Sequence, residues 1–213
     1  MGWVGLRPQS APASIEDQRA RLPPTQVRGG CSDEVSGRWI AHVYYAQLRD
    51  WYRYELLLTQ RGDVLSGSIR LRGWTGTPSE SEPPACRPGL RDAEWSEPAE
   101  GLVIRGPDGL SVRVDATSVR IEATHCGSAS GTFALDHFAG RIDPTTQEFV
   151  STNTYTFGAQ TLTDLTVFRR VACADGASPS PPIAPTVTVP QAHEDPSPRP
   201  SRRAFRCGRA EAP

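Results

Sequence analysis

Few side chains in this sequence have the type and spacing that catalysis or metal binding requires. The four histidines, His42, His125, His137 and His193, show no HExxH or other ligand spacing, and the five cysteines form no CxxC pair. His125 adjoins Cys126, but neighbouring residues of a strand point to opposite faces, which argues against a Cys/His nucleophile. We therefore expect no metal and no cofactor.

Nucleotide and hydrolase motifs are also missing from the sequence. It contains neither GxxxxGK[ST] nor a GxGxxG that follows a strand, and the segment 127–131, GSASG, has Ala where a nucleophile elbow needs Ser. With a formal net charge of −1, general nucleic-acid binding is not expected either.

Two groups of acidic residues are candidates for acid/base chemistry. Glu94, Glu97 and Glu100 are close in sequence, but the Pro and Gly at positions 98 and 101 predict a loop there. Asp136 and His137 are interpreted as a hydrogen-bonded loop pair before a strand. An enzyme is therefore the third hypothesis, and no catalytic residue is assigned.

Aromatic side chains are the stronger candidates for a binding site. In the segments 38–46 and 52–60 the residues alternate with period two, which predicts half-buried strands. Trp39, Tyr45, Tyr52 and Tyr54 then share the inner face, whereas Trp74, like Tyr44 and Trp51, lies on the outer face or at a rim. We assign Trp39, Tyr45, Tyr52, Tyr54 and Trp74 to an apolar or sugar-like ligand, against the alternative of a plain barrel core.

Four of the cysteines stand at the ends of predicted elements and indicate two disulfides. Three connectivities are open, and four unrelated buried thiols are the alternative. We prefer Cys31–Cys173, because a closed meander brings its ends together, which leaves Cys86–Cys126. Cys207 is then unpaired or intermolecular.

The disulfides predict an oxidising, extracytoplasmic location, either periplasmic or secreted. The N-terminal sequence, MGWVGLRPQSAPAS, has no apolar run typical of a signal peptide or of a membrane span. A cytoplasmic location is therefore the alternative.

The chain divides into three parts by composition. Residues 1–30 and the Pro-rich 174–213 are poor in large apolar residues and are expected to be disordered. Residues 31–173 form one domain with many short strands separated by turn signals, such as 106–109 (GPDG). This pattern predicts an all-β fold, an antiparallel meander that closes into a small barrel, with a β-sandwich as the alternative.

The register of one hairpin can be predicted residue by residue. If Gly62 and Asp63 are the central residues of a type II′ turn, the two residue numbers of every cross-strand pair sum to 125, from Arg61–Val64 to Trp51–Trp74. Large inward side chains then face glycine twice. The tripeptide 61–63, RGD, which some cell-adhesion receptors bind, is therefore interpreted as a hairpin tip.

Gly37-Arg38-Trp39 at the first strand, followed by a meander whose third strand carries 65–68 (LSGS), resembles the lipocalin and avidin class of barrels. The lipocalin T-D-Y element and the biotin-contacting set of avidins have no counterpart. Residues 31–173 also resemble small Cys-containing bacterial domains of unknown function, which share 74–76 (WTG), 84–86 (PAC), 126–127 (CG), 138–143 (FAGRID) and 168–173 (FRRVAC). These resemblances imply a single disulfide-bonded barrel and no particular activity.

Two non-enzymatic functions follow from these patterns. The first is a barrel that binds a small molecule in its interior. The second is a cell-envelope interaction module with a filled core, whose protein partner contacts the outer aromatics. A pocket lined by Tyr45, Tyr52 and Tyr54 favours the first, whereas joint exposure of Trp51 and Trp74 favours the second.

Overall fold

Nine strands and one short helix form the part of the chain that the structure, a computed structural model, describes: residues 14–27, 31–107, 109–127, 134–157 and 159–174. The strands are β1 (Gly37–Tyr45), β2 (Asp50–Arg61), β3 (Val64–Thr75), β4 (Asp92–Gly106), β5 (Gly109–Ala116), β6 (Arg120–Cys126), β7 (His137–Asp143), β8 (Glu148–Phe157) and β9 (Gln160–Cys173). The helix, α1, spans Ile15–Arg21.

The strands form a closed eight-strand antiparallel barrel. Neighbouring strands pair in the order β3-β2-β1-β9-β8-β7-β5-β4, and the pairing of β4 with β3 completes the circle. Strand β6 continues the line of β5 along the upper half of β4. The predicted barrel is confirmed, and the sandwich alternative was wrong. We call the end at which β1 begins and β9 ends the lower end, and the opposite end the upper end.

The predicted register of the β2–β3 hairpin is confirmed at every pair, from Arg61 with Val64 to Trp51 with Trp74. Gly62 has φ +64°, the positive value that the first position of a type II′ turn requires. Gly73 faces Tyr52, and a Cβ built on Gly73 would lie 2.8 Å from the Tyr52 ring and 2.9 Å from the ring of Trp95. Glycine at position 73 therefore lets two aromatic rings cross the β3 backbone.

Replacing Gly62 with Val should lower the free energy of unfolding by about 1–2 kcal/mol, because a branched side chain is strained at positive φ. The matched control is Gly106→Val, since Gly106 also borders a turn and has open space but no positive φ. Chemical denaturation of both variants would test this, and equal midpoints would contradict the turn assignment.

Strand β4 corrects the predicted break between residues 97 and 101. Pro98 pairs with Ser68 of β3, and its carbonyl accepts the backbone N–H of Thr117 at 3.0 Å. In an antiparallel strand the N and O of one residue point to the same side, so the missing N–H of Pro98 faces the junction between β5 and β6. A proline is tolerated there because no ladder bond is lost, and the residue at 97 is part of a strand.

The lower end is closed by apolar packing around a buried arginine. Trp39 is buried under the Arg170 guanidinium, whose carbon lies 5.5 Å from the centre of its ring. Arg170 Nη1 donates to the carbonyl of Asp33 at 3.2 Å, and Nη2 donates to the carbonyl of Ser36. The indole N–H of Trp39 donates to the carbonyl of Val35 at 2.8 Å, so the segment before β1 is fixed across this end.

Both predicted disulfides are confirmed. Cys31 is bonded to Cys173 at the lower end of the barrel, and Cys86 is bonded to Cys126, joining the β3–β4 loop to the end of β6. Two disulfides are typical of proteins in an oxidising, extracytoplasmic environment. Cys207 lies outside the described residues.

Helix α1 differs from the expectation of disorder throughout 1–30. Ser14 and Asp17 form a capping box, and the Gln18 amide donates to the carbonyl of Leu165 and accepts from the N–H of Val167, both at 2.9 Å. β1 and β9 pair only over Gly37–Ile40, so Gln18 takes the place of a strand partner beyond that seam. The sequence signal was 14–17 (SIED), a capping box.

The remaining predictions for the termini fall mostly outside the described residues. Residues 1–13, 28–30 and 175–213 are not described, so the expected disorder of the Pro-rich tail is not addressed by the structure. Among the helical residues that are described, none belongs to a helix long and apolar enough to cross a membrane.

Candidate functional site

The barrel interior changes in character along its axis. The lower part is filled by large apolar side chains, such as Leu58, Leu65, Phe149 and Phe168. The upper part holds a polar and aromatic group that we call the inner polar cluster. Its members are Tyr45, Tyr52, Tyr54, Glu97, Asp136, Asn153, Tyr155, Asp164 and Thr166.

A hydrogen-bond network connects four elements within this cluster. Asn153 of β8 accepts the backbone N–H of His137 at 3.0 Å, which orients its amide group inward. Its Nδ2 then donates to Asp136 and, at 3.1 Å, to the Tyr45 hydroxyl. The Tyr45 hydroxyl also lies 2.9 Å from Thr166 Oγ1 of β9. A single oriented amide therefore fixes the positions of an acid and a phenol.

Asp136 and Glu97 form a buried acidic pair with unequal environments. Asp136 Oδ1 accepts from the Tyr54 hydroxyl at 3.2 Å as well as from Asn153. Glu97, only 2% exposed, accepts the backbone N–H of Asp136, but its Oε2 has no hydrogen-bond partner. The hydrogen-bond donors around Asp136 favour its ionised form, whereas Glu97 has few such donors and its ionised form is not favoured.

The pKa values follow from these environments. Burial raises the pKa of Glu97 to about 9, and the negative charge of Asp136 adds to this effect. Burial raises the pKa of Asp136 only to about 6, because Asn153 and Tyr54 donate to its charged form. At neutral pH the pair therefore holds one proton, on Glu97, and one negative charge, on Asp136.

The tyrosine rings of the cluster are stacked on one another. The ring centre of Tyr45 lies 5.7 Å from that of Tyr155 and 5.2 Å from that of Tyr52. The Tyr155 hydroxyl donates to Asp164 at 2.6 Å. Tyr52 is only half-buried, so the cluster is accessible from the upper end through this ring.

The structure brings together three of the five aromatic residues assigned from sequence and separates the other two. Tyr45, Tyr52 and Tyr54 are members of the inner polar cluster. Trp39 is at the lower end under Arg170, and Trp74 is on the outside of the barrel. The five therefore do not form one site.

Trp74 belongs to a separate group that we call the outer aromatic cluster, which consists of His42, Tyr44, Trp51 and Trp74. The indole N–H groups of Trp51 and Trp74 donate to the carbonyls of Thr77 and Glu80 at 2.8 and 2.9 Å. Trp51 and Trp74 are 0% and 1% exposed, so the β3–β4 loop covers these rings.

Because of His42, the contribution of the outer aromatic cluster to the free energy of unfolding depends on pH. Burial lowers its pKa to about 4, and the charge of Arg53 acts in the same direction. Between pH 6.5 and 4 an unfolded His42 therefore binds more protons than the folded one, so the contribution of His42 to the free energy of unfolding should fall by up to about 3 kcal/mol on acidification. Denaturation midpoints of His42→Phe should rise relative to those of the wild type as the pH falls from 6.5 to 4, and a constant difference between the two proteins would contradict this account.

A concave region lies on the outer face of β2, β3, β4 and β6. This groove has a volume of about 510 Å³, and its charged lining residues are Arg53, Glu55, Arg70, Arg72, Glu94, Arg120 and Glu122. Arg72 is paired with Asp92 at 2.8 Å, and Arg120 with Glu122 at 2.5 Å. Because opposite charges alternate and pair along the groove, it has no strong preference for one charge.

Sequence reasoning missed several members of the inner polar cluster. Glu97 and Asp136 were assigned to loops, and Tyr155 and Asn153 were not singled out. Period-two alternation in 148–154 was a usable signal for Asn153, because it places that residue on the same face as Phe149. Asp136 had no such signal, since it precedes β7.

Comparison with known proteins does not add a function to this geometry. Among the described residues, no group of three or more His, Cys, Asp or Glu side chains is placed to hold a metal ion. No protein-family model, curated protein or solved structure matches the chain.

Proposed function

We propose that the protein is a non-enzymatic binding domain that holds a small molecule at the inner polar cluster. The observation that carries the proposal is the buried Glu97–Asp136 pair inside a ring of tyrosines, in a barrel whose lower part is packed with apolar side chains. A core selected for stability alone has little use for a buried acidic pair, because apolar residues of similar volume are often equally or more stabilising.

The position of the cluster supports this proposal. Eight strands enclose enough space for side chains or for one small ligand, and ligand sites in such barrels lie at the mouth. Tyr52 is half-buried and stacks on Tyr54, which reaches Asp136. A ligand that contacts Tyr52 is therefore connected to the acidic pair through two successive tyrosine side chains, Tyr52 and Tyr54.

The alternative, an interaction module that uses outer aromatics, is less well supported. It required Trp51 and Trp74 to be exposed together, and both rings are buried under the β3–β4 loop. A periplasmic or secreted location, and a relationship to lipocalin-like bacterial barrels, are parts of the proposal. The two disulfides and the barrel architecture support them.

The indole N–H signals of the tryptophans provide a direct test. Trp95 is on the inner face beside Tyr52, whereas Trp39 and Trp74 lie at the lower end and outside. In nuclear magnetic resonance titrations with small aromatic, aliphatic and sugar probes, we expect the Trp95 signal to shift and the Trp39 signal to stay. Shifts confined to Trp51 and Trp74 would favour the interaction module and overturn the proposal.

A further inference from the structure

We infer that the ligand of the inner polar cluster is a small organic cation, such as a protonated amine attached to an apolar or aromatic group. This inference rests on the proposed function and specifies its ligand class. The geometry behind it is an unpartnered carboxyl oxygen on the inner face, a second carboxylate beside it, and tyrosine rings around both.

The unpartnered oxygen is Oε2 of Glu97. The residue is 2% exposed, its Oε2 has no hydrogen-bond partner, and the groups that shift its pKa are its buried surroundings, the Asp136 carboxylate and the Asp136 backbone N–H, none of them a cation. Its inward neighbours on β4 are Trp95 and Ala99, and its inward cross-strand partner on β3 is Ile69. A buried carboxyl group with a free oxygen and no basic neighbour is suited to a donor that arrives with the ligand.

Two further acidic side chains lie between the Glu97–Asp136 pair and the upper end of the barrel. Asp164 of β9 accepts from Tyr155, and Asp50 at the start of β2 is buried and paired with Arg91 at 2.6 Å. Burial raises the pKa of both. Arg91 is exposed and is bound to Asp50 at the upper end, so its charge is already compensated there.

The tyrosine rings provide the second element of cation recognition. Aromatic faces attract cations through the ring quadrupole, and the attraction is stronger in a desolvated site. Tyr45, Tyr52 and Tyr54 lie within 6.5 Å of one another, measured between ring centres. Phenols beside two carboxyl groups are a poor environment for an anionic ligand and a favourable one for an ammonium group.

The pair also implies that binding releases a proton. In the free protein Glu97 is protonated, and an ammonium group beside Oε2 favours its ionised form. The proton leaves to solvent, and the product is a carboxylate–ammonium pair, so charge balances. Besides the pair itself, the titratable groups around it are His137 of β7, Tyr45 of β1, Tyr52 and Tyr54 of β2, Tyr155 of β8 and Asp164 of β9. Ile69 of β3 and Ala116 of β5 do not titrate.

Calorimetric titration with three matched probes tests the inference: phenethylamine, the neutral 2-phenylethanol and the anionic 3-phenylpropionate. We expect the amine to bind at least about tenfold more tightly than the alcohol, the usual contribution of a charged hydrogen bond, and the acid not to bind. Repeating the titration in two buffers of different ionisation enthalpy should show about one proton released per amine bound at pH 7.

Two variants test whether the preference for the amine depends on the charge of Glu97 rather than on its shape. Glu97→Gln should lose both the preference for the amine over the alcohol and the proton release. Glu100→Gln, an exposed substitution on the same strand, is the matched control and should behave as the wild type. Circular dichroism of both variants confirms that they are folded.

The outcomes distinguish this inference from the proposed function. If the alcohol binds as tightly as the amine, or if the acid binds best, a cationic ligand is excluded, but the proposed binding site at the inner polar cluster is retained. If none of the three probes binds, the cation inference is overturned; if no probe of any class shifts the Trp95 signal, the proposed function fails as well.

Discussion

Removing the Cys31–Cys173 disulfide by a double Cys→Ala substitution is expected to lower the free energy of unfolding by about 5 kcal/mol in the loop-entropy model. The bond closes a loop with a sequence separation of 142 residues, which is nearly the whole barrel. It also joins the segment before β1 to the last residue of β9, beside the β1–β9 seam, where the pairing covers only Gly37–Ile40 and Arg169–Cys173. Because domains have only about 5–15 kcal/mol of stability, this variant should be close to unfolding at room temperature.

The Cys86–Cys126 bond is the matched control. It spans 40 residues, so the same model gives about 4 kcal/mol, and its structural effect is confined to the β3–β4 loop and β6. Hydrogen exchange should show loss of protection in β1 and β9 for the first double variant, and in residues 76–91 for the second. A loss below about 1 kcal/mol for the Cys31/Cys173 variant would contradict the role assigned to the seam.

Replacing Glu97 with Gln is expected to stabilise the protein by about 3 kcal/mol at pH 7. The folded-state pKa of Glu97, about 9, lies above the value of 4.5 expected for the unfolded chain. The contribution of Glu97 is therefore favourable below pH 4.5 and is lost as the pH rises toward 9, with a slope of about 1.4 kcal/mol per pH unit. Gln can accept the same backbone N–H from Asp136 without this cost.

The measurement is the denaturation midpoint of wild type, Glu97→Gln and the exposed control Glu100→Gln between pH 5 and 9. The wild type and the control should lose stability with rising pH, and Glu97→Gln should lose much less. His42 acts in the opposite direction below pH 6.5, so the two effects oppose each other between pH 4.5 and 6.5, and the comparison of slopes is made above pH 6.5. Equal slopes in all three proteins would show that Glu97 is already ionised in the fold.

Much of the barrel was predictable from sequence because its strands obey period two. The β2–β3 register could be predicted because a one-residue slip would have moved Leu56 and Tyr54 to solvent. The disulfide pairing followed from closure of the meander, which brings Cys31 to Cys173.

The parts that could not be predicted depend on contacts distant in sequence. Pro98 predicts a strand break, and only the position of the β5–β6 junction shows that its missing N–H is harmless. Helix α1 has few apolar residues, and its Gln18 amide is held by β9, which is 147 residues away. Whether Trp51 and Trp74 are exposed could not be predicted from the sequence either. The β3–β4 loop that covers them accepts their indole N–H groups with backbone carbonyls, which every residue type has.

The same limitation explains why the site was found only in part. Tyr45, Tyr52 and Tyr54 were visible as an alternating aromatic face. Glu97 and Asp136 were not recognised, because a carboxyl group is usually exposed and nothing local shows that it is buried. Their pairing brings together two residues that are 39 positions apart in sequence.

The most direct test of the account is native mass spectrometry of the chain purified from the organism that encodes it, beside its Asp136→Asn variant. The account predicts a one-to-one complex with a small molecule in the wild type and loss of that added mass in the variant, in which the charged acceptor of Tyr54 and Asn153 is removed. Detection of the bare chain mass alone in the wild type, or of the same added mass in both proteins, would contradict a ligand site at the inner polar cluster.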